Sequence, residues 1–202
     1  KFTTQLTPRT YTTRLNKLKK DPLYTDEMDK TSDLYVEHLT EKAMTYNSTP
    51  YVAVEAQVDF ADYVPEGFGT CDCIMIGGDT LNITDYKHGK GVPVSAENNT
   101  QMMLYALAAL NQYEEQYQIK KVKLTIFQPR RDNVSTWETT VAKLKKWATK
   151  DLVPKAQRAF RGEGEYCPGE WCIFCKAAVK CRARAEDKLR LAQSEFKMPP
   201  LL

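Results

Sequence analysis

The sequence predicts an α/β domain, in which β-strands alternate with amphipathic helices. Three observations support this class. Residues 51–60 alternate apolar and polar side chains, which is typical of a half-buried strand. Two short apolar runs, 71–76 and 81–86, flank a Gly-Gly-Asp turn and therefore predict a β-hairpin. Residues 95–117 place their apolar side chains at helical spacing, which predicts a packed helix after the hairpin.

The composition is that of an ordinary globular chain. Of the 202 residues, 42% are hydrophobic and 27% are charged, so the chain is long enough for a substantial core. A net charge of +3 is compatible with a nucleic-acid partner but does not require one. No apolar run approaches the ~20 residues of a membrane span, and no secretory signal is visible. We therefore expect a cytoplasmic protein with no membrane partner.

Helices are predicted ahead of the sheet. The apolar stripe formed by Tyr11, Leu15 and Leu18 indicates a short first helix, whose basic side we expect to be solvated. A second helix is predicted over residues 26–46. The chain begins with Lys1 rather than methionine, as a fragment or a processed chain would.

Side-chain alternation assigns faces to the first two strands. Even-numbered residues of the first strand are apolar, which puts Glu55 on the opposite, polar face. On that face Glu55 is either exposed to solvent or lies near the aspartates of the hairpin as a third acid. In the second strand, Cys71 and Cys73 are expected to share the face opposite Asp72, as buried and unreactive thiols.

The hairpin carries a candidate metal site. Asp85 and Lys87 are two residues apart, so they point the same way, and a suitable register would bring Asp72 beside them. Two converging carboxylates repel each other unless a divalent cation lies between them, which predicts Mg²⁺ or Mn²⁺. The lysine would hold a phosphate or an attacking water. Alone, an acid and a lysine at this spacing would be a surface ion pair worth under ~1 kcal/mol.

The context after the hairpin strengthens this interpretation. A glycine-rich segment, residues 88–93, follows the lysine, and Ser95 is a suitable N-cap for the helix after it. On that helix Gln101 and Tyr105 lie one turn apart on the same face. Polar side chains are thus predicted to face the end of the second hairpin strand.

Two further strands and a long helix complete the predicted core. The strands cover residues 121–127 and 134–140, and the turn between them carries two arginines. The helical pattern of residues 141–161 is interrupted by Pro154, which forces a break or a new start.

Four cysteines near the C-terminus form a second candidate site. In a chain without a secretion signal, a tight cluster favours metal ligation over disulfides. A C-x-x-C turn presents two thiolates to one metal, and further cysteines can complete the coordination sphere. The alternative is four free thiols. The cluster consists of Cys167, Cys172, Cys175 and Cys181.

Three motifs resemble those of the PD-(D/E)xK nuclease superfamily, in particular the RecB-like exonucleases. They are, in chain order, Gly69-x-x-Asp72, Asp85-x-Lys87 and Gln101-x-x-x-Tyr105. A closer resemblance, over residues 50–190, is to a group of phage and prophage proteins in that superfamily, the DUF2800 type. The runs that carry it are VPEGFGT, KHGKGVPVSAENN, QPR, STWE and CIFCKAAVKCRARAE.

The resemblance implies a fold and a function. The fold is a restriction-endonuclease-like core with a mixed central sheet flanked by helices, over residues 51–161. A helical segment, 1–50, precedes it, and a Cys-rich segment with a helix, 162–202, follows it. The implied function is metal-dependent cleavage of DNA by an exonuclease in phage or prophage recombination or DNA processing. DNA is the implied partner, together with phage recombination or replication proteins.

The resemblance also implies residue roles. Asp72 and Asp85 take the metal-ligand positions, and Lys87 takes the position that activates water and stabilises charge. Gln101 and Tyr105 take positions that hold the site geometry or the DNA backbone.

A [4Fe–4S] cluster is implied at the cysteines. Cys172, Cys175 and Cys181 would be three ligands, and the relatives supply the fourth from the N-terminal side. No cysteine precedes Cys71 here, so Cys167 is the candidate fourth ligand, and four thiolates would also accept Zn²⁺. The competing hypothesis is a catalytically inactive nuclease-fold module for DNA binding or assembly, with a structural Zn or Fe–S site.

Overall fold

A computed structural model describes residues 7–197 of the protein. The chain divides into two compact units, with the boundary between Gln157 and Arg158. Among the described residues, no helix has the length and apolar character that a membrane span requires.

The first unit contains a sheet and most of the helices. Within residues 7–157 the strands are β1 Tyr51–Asp59, β2 Phe68–Gly77, β3 Thr80–Tyr86, β4 Lys121–Gln128 and β5 Asn133–Thr140. The helices are α1 Pro8–Leu18, α2 Asp26–Met44, α3 Thr100–Tyr113, α4 Val141–Trp147 and the first part of α5 Val153–Phe160, with a π-helical turn over Ala148–Leu152 between α4 and α5.

The sheet is mixed, and its strands lie in the order β1-β2-β3-β4-β5. Neighbouring strands are antiparallel except β3 and β4, which are parallel. Parallel neighbours need a crossover connection, and α3 lies in that connection. An α/β fold with a mixed central sheet flanked by helices is therefore confirmed.

The two faces of the sheet are covered by different helices. The main apolar core lies on the side of α3, where buried side chains of the sheet meet Leu107 and Leu110. On the other side α2 reaches the sheet through polar contacts, since Tyr35 donates to the carbonyl of Thr84 at 3.4 Å. The carboxyl end of β3, one of the two parallel strands, therefore lies between α2 on one face of the sheet and α3 on the other.

The alternation predicted for β1 is wrong in its N-terminal half. Ala53 and Ala56 are three residues apart, yet both pack against the α3-side core, together with Val58. The switch of face occurs at Glu55, whose φ of 52° lies in the left-handed region. A left-handed residue turns the following side chains to the other face, which simple counting by two cannot anticipate.

The same switch occurs in β2, at the residue opposite Glu55. Cys71 and Ile74 both belong to the α3-side core, whereas Cys73 lies outside it. The prediction that Cys71 and Cys73 share a face is therefore wrong. Both thiols are buried, as expected, and burial raises the pKa of Cys73 to about 12. Neither thiol is reactive at neutral pH.

The start of α3 also differs from the prediction. The hydroxyl of Ser95 accepts the N–H of Glu97 in a local turn and does not cap the helix. Asn98 has a φ of 51°, which no helical residue adopts, so the helix begins after it. The side chain of Asn99 accepts the N–H of Met102 and is the N-cap.

Other predicted elements are confirmed. The hairpin of β2 and β3 turns through Gly78, whose φ of 57° explains why a glycine is present. The helix predicted over residues 26–46 is α2. The interruption predicted at Pro154 takes the form of a π-helical turn, Ala148–Leu152, which lies directly before α5.

The second unit consists of short helical turns and one longer helix. Within residues 158–197 these are the 3₁₀ turns Glu170–Phe174 and Ala178–Lys180 and the helix α6 Arg182–Glu195. None of the described side chains of this unit is fully buried. Its apolar core is too small to explain a fixed structure without a further constraint.

A half-buried lysine of α2 contacts the sheet. The Nζ atom of Lys42 donates to the hydroxyl of Thr125 at 2.9 Å, and the nearest charged side chains include Lys123 and Glu138. Burial, together with the charge of Lys123, lowers the pKa of Lys42 to about 8. The folded protein therefore disfavours the charged form of this side chain.

Replacing Lys42 with methionine is expected to raise the free energy of unfolding at pH 7 by about 2 kcal/mol. The gain should shrink between the folded pKa near 8 and the ordinary lysine pKa of 10.5, because wild-type Lys42 loses its charge over that range. Urea denaturation of wild type and Lys42→Met at pH 7 and pH 10 measures the gain in stability and its decrease with pH. Lys146→Met on the exposed side of α4 is the control, and equal stability of wild type and Lys42→Met at pH 7 would contradict the argument.

Candidate active site

Four of the sequence-predicted site residues contact one another at the end of β3, on the side of the sheet that α3 covers: Asp85, Lys87, Gln101 and Tyr105. Asp85 is the last but one residue of β3 and is only 4% exposed. Lys87 follows two residues later, and its main-chain N–H donates to the carbonyl of Phe127 at 2.9 Å, which extends the parallel pairing. The strand thereby presents both side chains towards the N-terminal turn of α3.

Asp85 has two partners. Its Oδ2 atom lies 2.9 Å from the ammonium of Lys87, and its Oδ1 atom accepts the amide of Gln101 at 3.2 Å. The Oδ2 atom has no hydrogen bond of good geometry in the described part of the chain, so the contact with Lys87 is ionic rather than aligned. A buried carboxylate needs such a partner, because desolvation of an unpaired charge is costly.

Gln101 connects the strand to the helix. Its Oε1 atom accepts from Lys87 Nζ at 3.3 Å, and its Nε2 atom also donates to the hydroxyl of Tyr105 at 3.1 Å. The ring of Tyr105 packs against Gly69, where an added Cβ would lie only 2.9 Å from a ring carbon. The glycine of the first motif is thus explained by the close approach of the tyrosine.

Asp72 reaches the same place from β2. Its Oδ2 atom accepts the main-chain N–H of Tyr86 at 2.6 Å. The ladder between β2 and β3 pairs Cys73 with Thr84, which puts Asp72 across from Asp85. The two aspartates therefore lie at the same level of adjacent strands, and the carboxylate of Asp72 contacts the main chain directly after Asp85.

The electrostatics of Asp72 reflect this arrangement. Burial raises the pKa of Asp72, the N–H of Tyr86 opposes that effect, and the charges of Asp85 and Glu55 raise the pKa again. The main-chain donor at Tyr86 has no signature in the sequence, because it depends on where β2 ends its pairing with β3. Sequence reasoning missed it.

Glu55 is near the aspartates but is not enclosed with them. It lies opposite Asp72 in the register of β1 and β2, and its side chain is exposed. Within residues 7–197 it makes no side-chain hydrogen bond or ion pair, although its charge acts on Asp72. Of the two alternatives, the exposed position is the one observed, with the carboxylate still close enough to affect the cleft.

The acidic side chains near the end of β3 are few. Across residues 7–197, no group of three or more His, Cys, Asp or Glu side chains is close enough to hold a metal ion. A metal ion here would have Asp72 and Asp85 as its two carboxylate ligands. Mg²⁺ commonly uses one or two carboxylates and completes its shell with water and substrate phosphate, so this donor set fits that ion.

The cysteines of the second unit share a cavity. A cavity of about 380 Å³ is lined by Cys167, Cys172, Cys175 and Cys181, together with Tyr166 and Trp171. All four cysteines are free thiols. The described arrangement brings them around one space without bringing three sulfurs to ligand distance of a common point.

Tyr35 is a further side chain near the site that the sequence did not single out. It lies under the end of β3, with its ring 5.0 Å from that of Tyr86, and burial raises its pKa. An aromatic residue on the apolar stripe of a helix gives no signal beyond packing. Its role is to support the strand end from the side of α2.

Comparison with known proteins gives two results. The family model described as "Protein of unknown function (DUF2800)" matches residues 1–202, the whole chain. Among solved structures, one titled "Crystal structure of SSO0001" is similar with a TM-score of 0.40 and 15% sequence identity. That similarity covers 78% of this chain and 69% of the other.

Replacing Asp72 with asparagine is expected to raise the free energy of unfolding at neutral pH in the absence of divalent cations. The folded state raises the pKa of this carboxyl, so the charged form is penalised above that pKa. The gain should disappear as the pH falls towards the ~3.9 of a free aspartate. Thermal denaturation from pH 3.5 to pH 7.5 measures it.

The matched control for this measurement is Asp33→Asn on the exposed side of α2. A gain that is the same for both variants, or that persists at the lowest pH, would contradict the stated cause.

Proposed function

This chain belongs to the DUF2800 family, whose function is unknown, and we propose that it is a metal-dependent DNA nuclease of the PD-(D/E)xK type. The observation that carries the proposal is the network in which Asp85, Lys87 and Gln101 contact one another beside Asp72. Two carboxylates that can hold a metal ion, with an ammonium beside them, are groups suited to phosphodiester hydrolysis.

Hydrolysis of a phosphodiester needs an activated water, stabilisation of the charge on phosphorus oxygens and neutralisation of the leaving oxygen. Asp72 and Asp85 would hold Mg²⁺ or Mn²⁺, and when bound such an ion supplies the positive charge for water activation. The raised pKa of Asp72 is consistent with a carboxylate that gains from a cation beside it.

Lys87 contributes a donor at the point where negative charge develops. Its ammonium is held between Asp85 and Gln101, so its position is fixed before any substrate arrives. The side chain remains 28% exposed, which leaves donor capacity for a phosphate oxygen. Gln101 accepts from the ammonium and donates to the carboxylate, and it therefore positions both groups.

The biological setting follows from the sequence resemblance. We propose an exonuclease that acts on DNA in phage or prophage recombination or DNA processing. Phage recombination or replication proteins would be its partners, and the cytoplasm its place of action. The proposed site would act on the sugar–phosphate backbone of DNA, because cleavage of a phosphodiester needs no pocket that recognises a base.

Substituting alanine for Asp85 or Lys87 is expected to reduce cleavage of labelled linear DNA in Mg²⁺ or Mn²⁺ by at least 10²-fold, the usual cost of losing one charge-stabilising group. The control pair is Glu186→Ala and Lys188→Ala, which has the same acid-x-lysine spacing in α6 but an exposed setting. Gel electrophoresis of the labelled products measures the rate of cleavage. Equal cleavage by wild type and the site variants would rule out the proposed active site.

A second candidate function is favoured by the absence, within residues 7–197, of a three-ligand acidic site. It is a catalytically inactive nuclease-fold module that binds DNA or supports assembly. Electron paramagnetic resonance of added Mn²⁺ separates the candidates: the nuclease requires binding that Asp72→Asn or Asp85→Asn abolishes. The inactive module requires DNA binding without cleavage and without specific Mn²⁺ binding.

We further propose that the four cysteines bind a structural [4Fe–4S] cluster or Zn²⁺. The shared cavity and the absence of buried side chains in the described part of the second unit support this, because a metal would supply the missing constraint.

Protein purified without oxygen is expected to contain either iron and sulfide or zinc by elemental analysis. Cys175→Ser should lose most of that metal and expose the second unit to limited proteolysis. Cys73→Ser, a thiol buried in the first unit, is the control and should retain the metal. Metal-free wild-type protein with a protease-resistant second unit would overturn the proposal.

A further inference from the structure

Two segments from distant parts of the chain lie together beside Lys87. One is the glycine-rich loop of residues 88–92, and the other is the 3₁₀ turn Pro129–Arg131 between β4 and β5. Arg130 Nη1 donates to the carbonyl of His88 at 3.4 Å, and Arg131 Nη1 donates to the carbonyl of Lys90 at 3.3 Å. Together the two segments form a basic loop pair. The arginines hold the loop through its backbone.

The basic loop pair carries more positive charge than its surroundings neutralise. Glu27 of α2 accepts from Arg130 through both carboxylate oxygens, at 2.9 and 2.8 Å, and lies 3.9 Å from Lys90 Nζ. Arg131 forms no ion pair within the described chain. Two of the three cations thus contact Glu27, and the third has no acidic partner within the described chain. Like charges held together repel one another, unless an anion lies between them.

The backbone of the loop is also free to bind an anion. The N–H groups of residues 89–92 donate no hydrogen bond to any other described residue. Gly91 has no atom within 4 Å of the position where a Cβ would stand, so the loop is open on that side. Lys90 is 64% exposed. Free main-chain N–H groups and cationic side chains are both donors that contact phosphate oxygens in protein–DNA complexes.

A histidine fixes the loop from the side of α2. The Nδ1 atom of His88 lies 3.3 Å from the hydroxyl of Thr31 and 3.1 Å from that of Tyr86. The loop is therefore anchored at its start by His88 and at Lys90 by Arg131. Such anchoring lowers the entropy lost when a ligand binds.

We propose that the basic loop pair binds the phosphate backbone of DNA next to the scissile phosphate. The assignment to DNA rests on the proposed function, since Lys87 immediately precedes the loop and a nucleic-acid strand carries a phosphate at every nucleotide. A strand cut at Asp85 would place its neighbouring phosphates on Lys90, Arg131 and the loop N–H groups. The site is sequence-independent, because it reads only the backbone.

Binding without cleavage tests this surface. The double variant Lys90→Gln/Arg131→Gln is compared with Lys146→Gln/Lys150→Gln, which removes two exposed cations from the other end of the same unit. Fluorescence anisotropy of a labelled 20-mer, with EDTA present, gives the affinity at several salt concentrations. The loop variant is expected to bind about tenfold more weakly and to lower the salt slope by 1 to 2. The control variant should match wild type.

The outcomes separate this proposal from the nuclease itself. Weakened binding by the loop variant, together with no Mn²⁺-dependent cleavage by wild type, supports the surface and rejects the nuclease. Cleavage by wild type, with equal binding by the loop and control variants, rejects the surface and retains the nuclease. Melting temperatures equal to that of wild type show that both variants are folded.

Discussion

The buried carboxylate of Asp85 is the constraint on which the site depends. At 4% exposure it cannot remain charged without a partner, and the ammonium of Lys87 lies 2.9 Å away. The same carboxylate receives Gln101 from α3, so the helix is tied to the strand end by a polar contact. The buried side chains of α3 orient the helix on the sheet, and the contact between Gln101 and Asp85 adds a polar tie at its N-terminal turn.

The left-handed residue at Glu55 has a comparable consequence on the other side of the cleft. A non-glycine residue in this conformation costs on the order of 1–3 kcal/mol and persists only when its surroundings require it. Here the faces of β1 and β2 both switch at the level of Asp72. The switch lets Cys71 enter the α3-side core while the carboxylate of Asp72 meets the N–H of Tyr86. Strain in β1 thus accompanies the placement of a site residue in β2.

The sequence predicts the elements of this fold well because each has a local cause. The hairpin follows from a glycine turn between apolar runs, and the pairing of Asp85 with Lys87 follows from the period of a strand. The start of α3 could not be predicted in the same way, because Ser95 and Asn99 are equally good caps. Only the backbone conformation of Asn98 decides between them.

What the sequence could not predict depends on contacts between distant segments. The face switch at Glu55, the main-chain donor at Tyr86 and the burial of Lys42 are all set by pairing registers or by helix docking. Neither arginine of the β4–β5 turn has a sequence neighbour that would explain its position. Their contacts with the loop after β3 exist because β3 and β4 are parallel, so both strands end at the same edge of the sheet.

That parallel pair also organises the charges along the edge of the sheet. Acidic side chains occupy β1, β2 and β3, at Glu55, Asp72 and Asp85, and basic side chains follow at the end of β4. Lys87 lies at the boundary between the two signs. Under the proposed function, a DNA strand bound by the basic side chains would cross this boundary to reach the acids, where its charge is tolerated only beside a cation. The order of the strands therefore places the acidic and the basic side chains on opposite sides of Lys87.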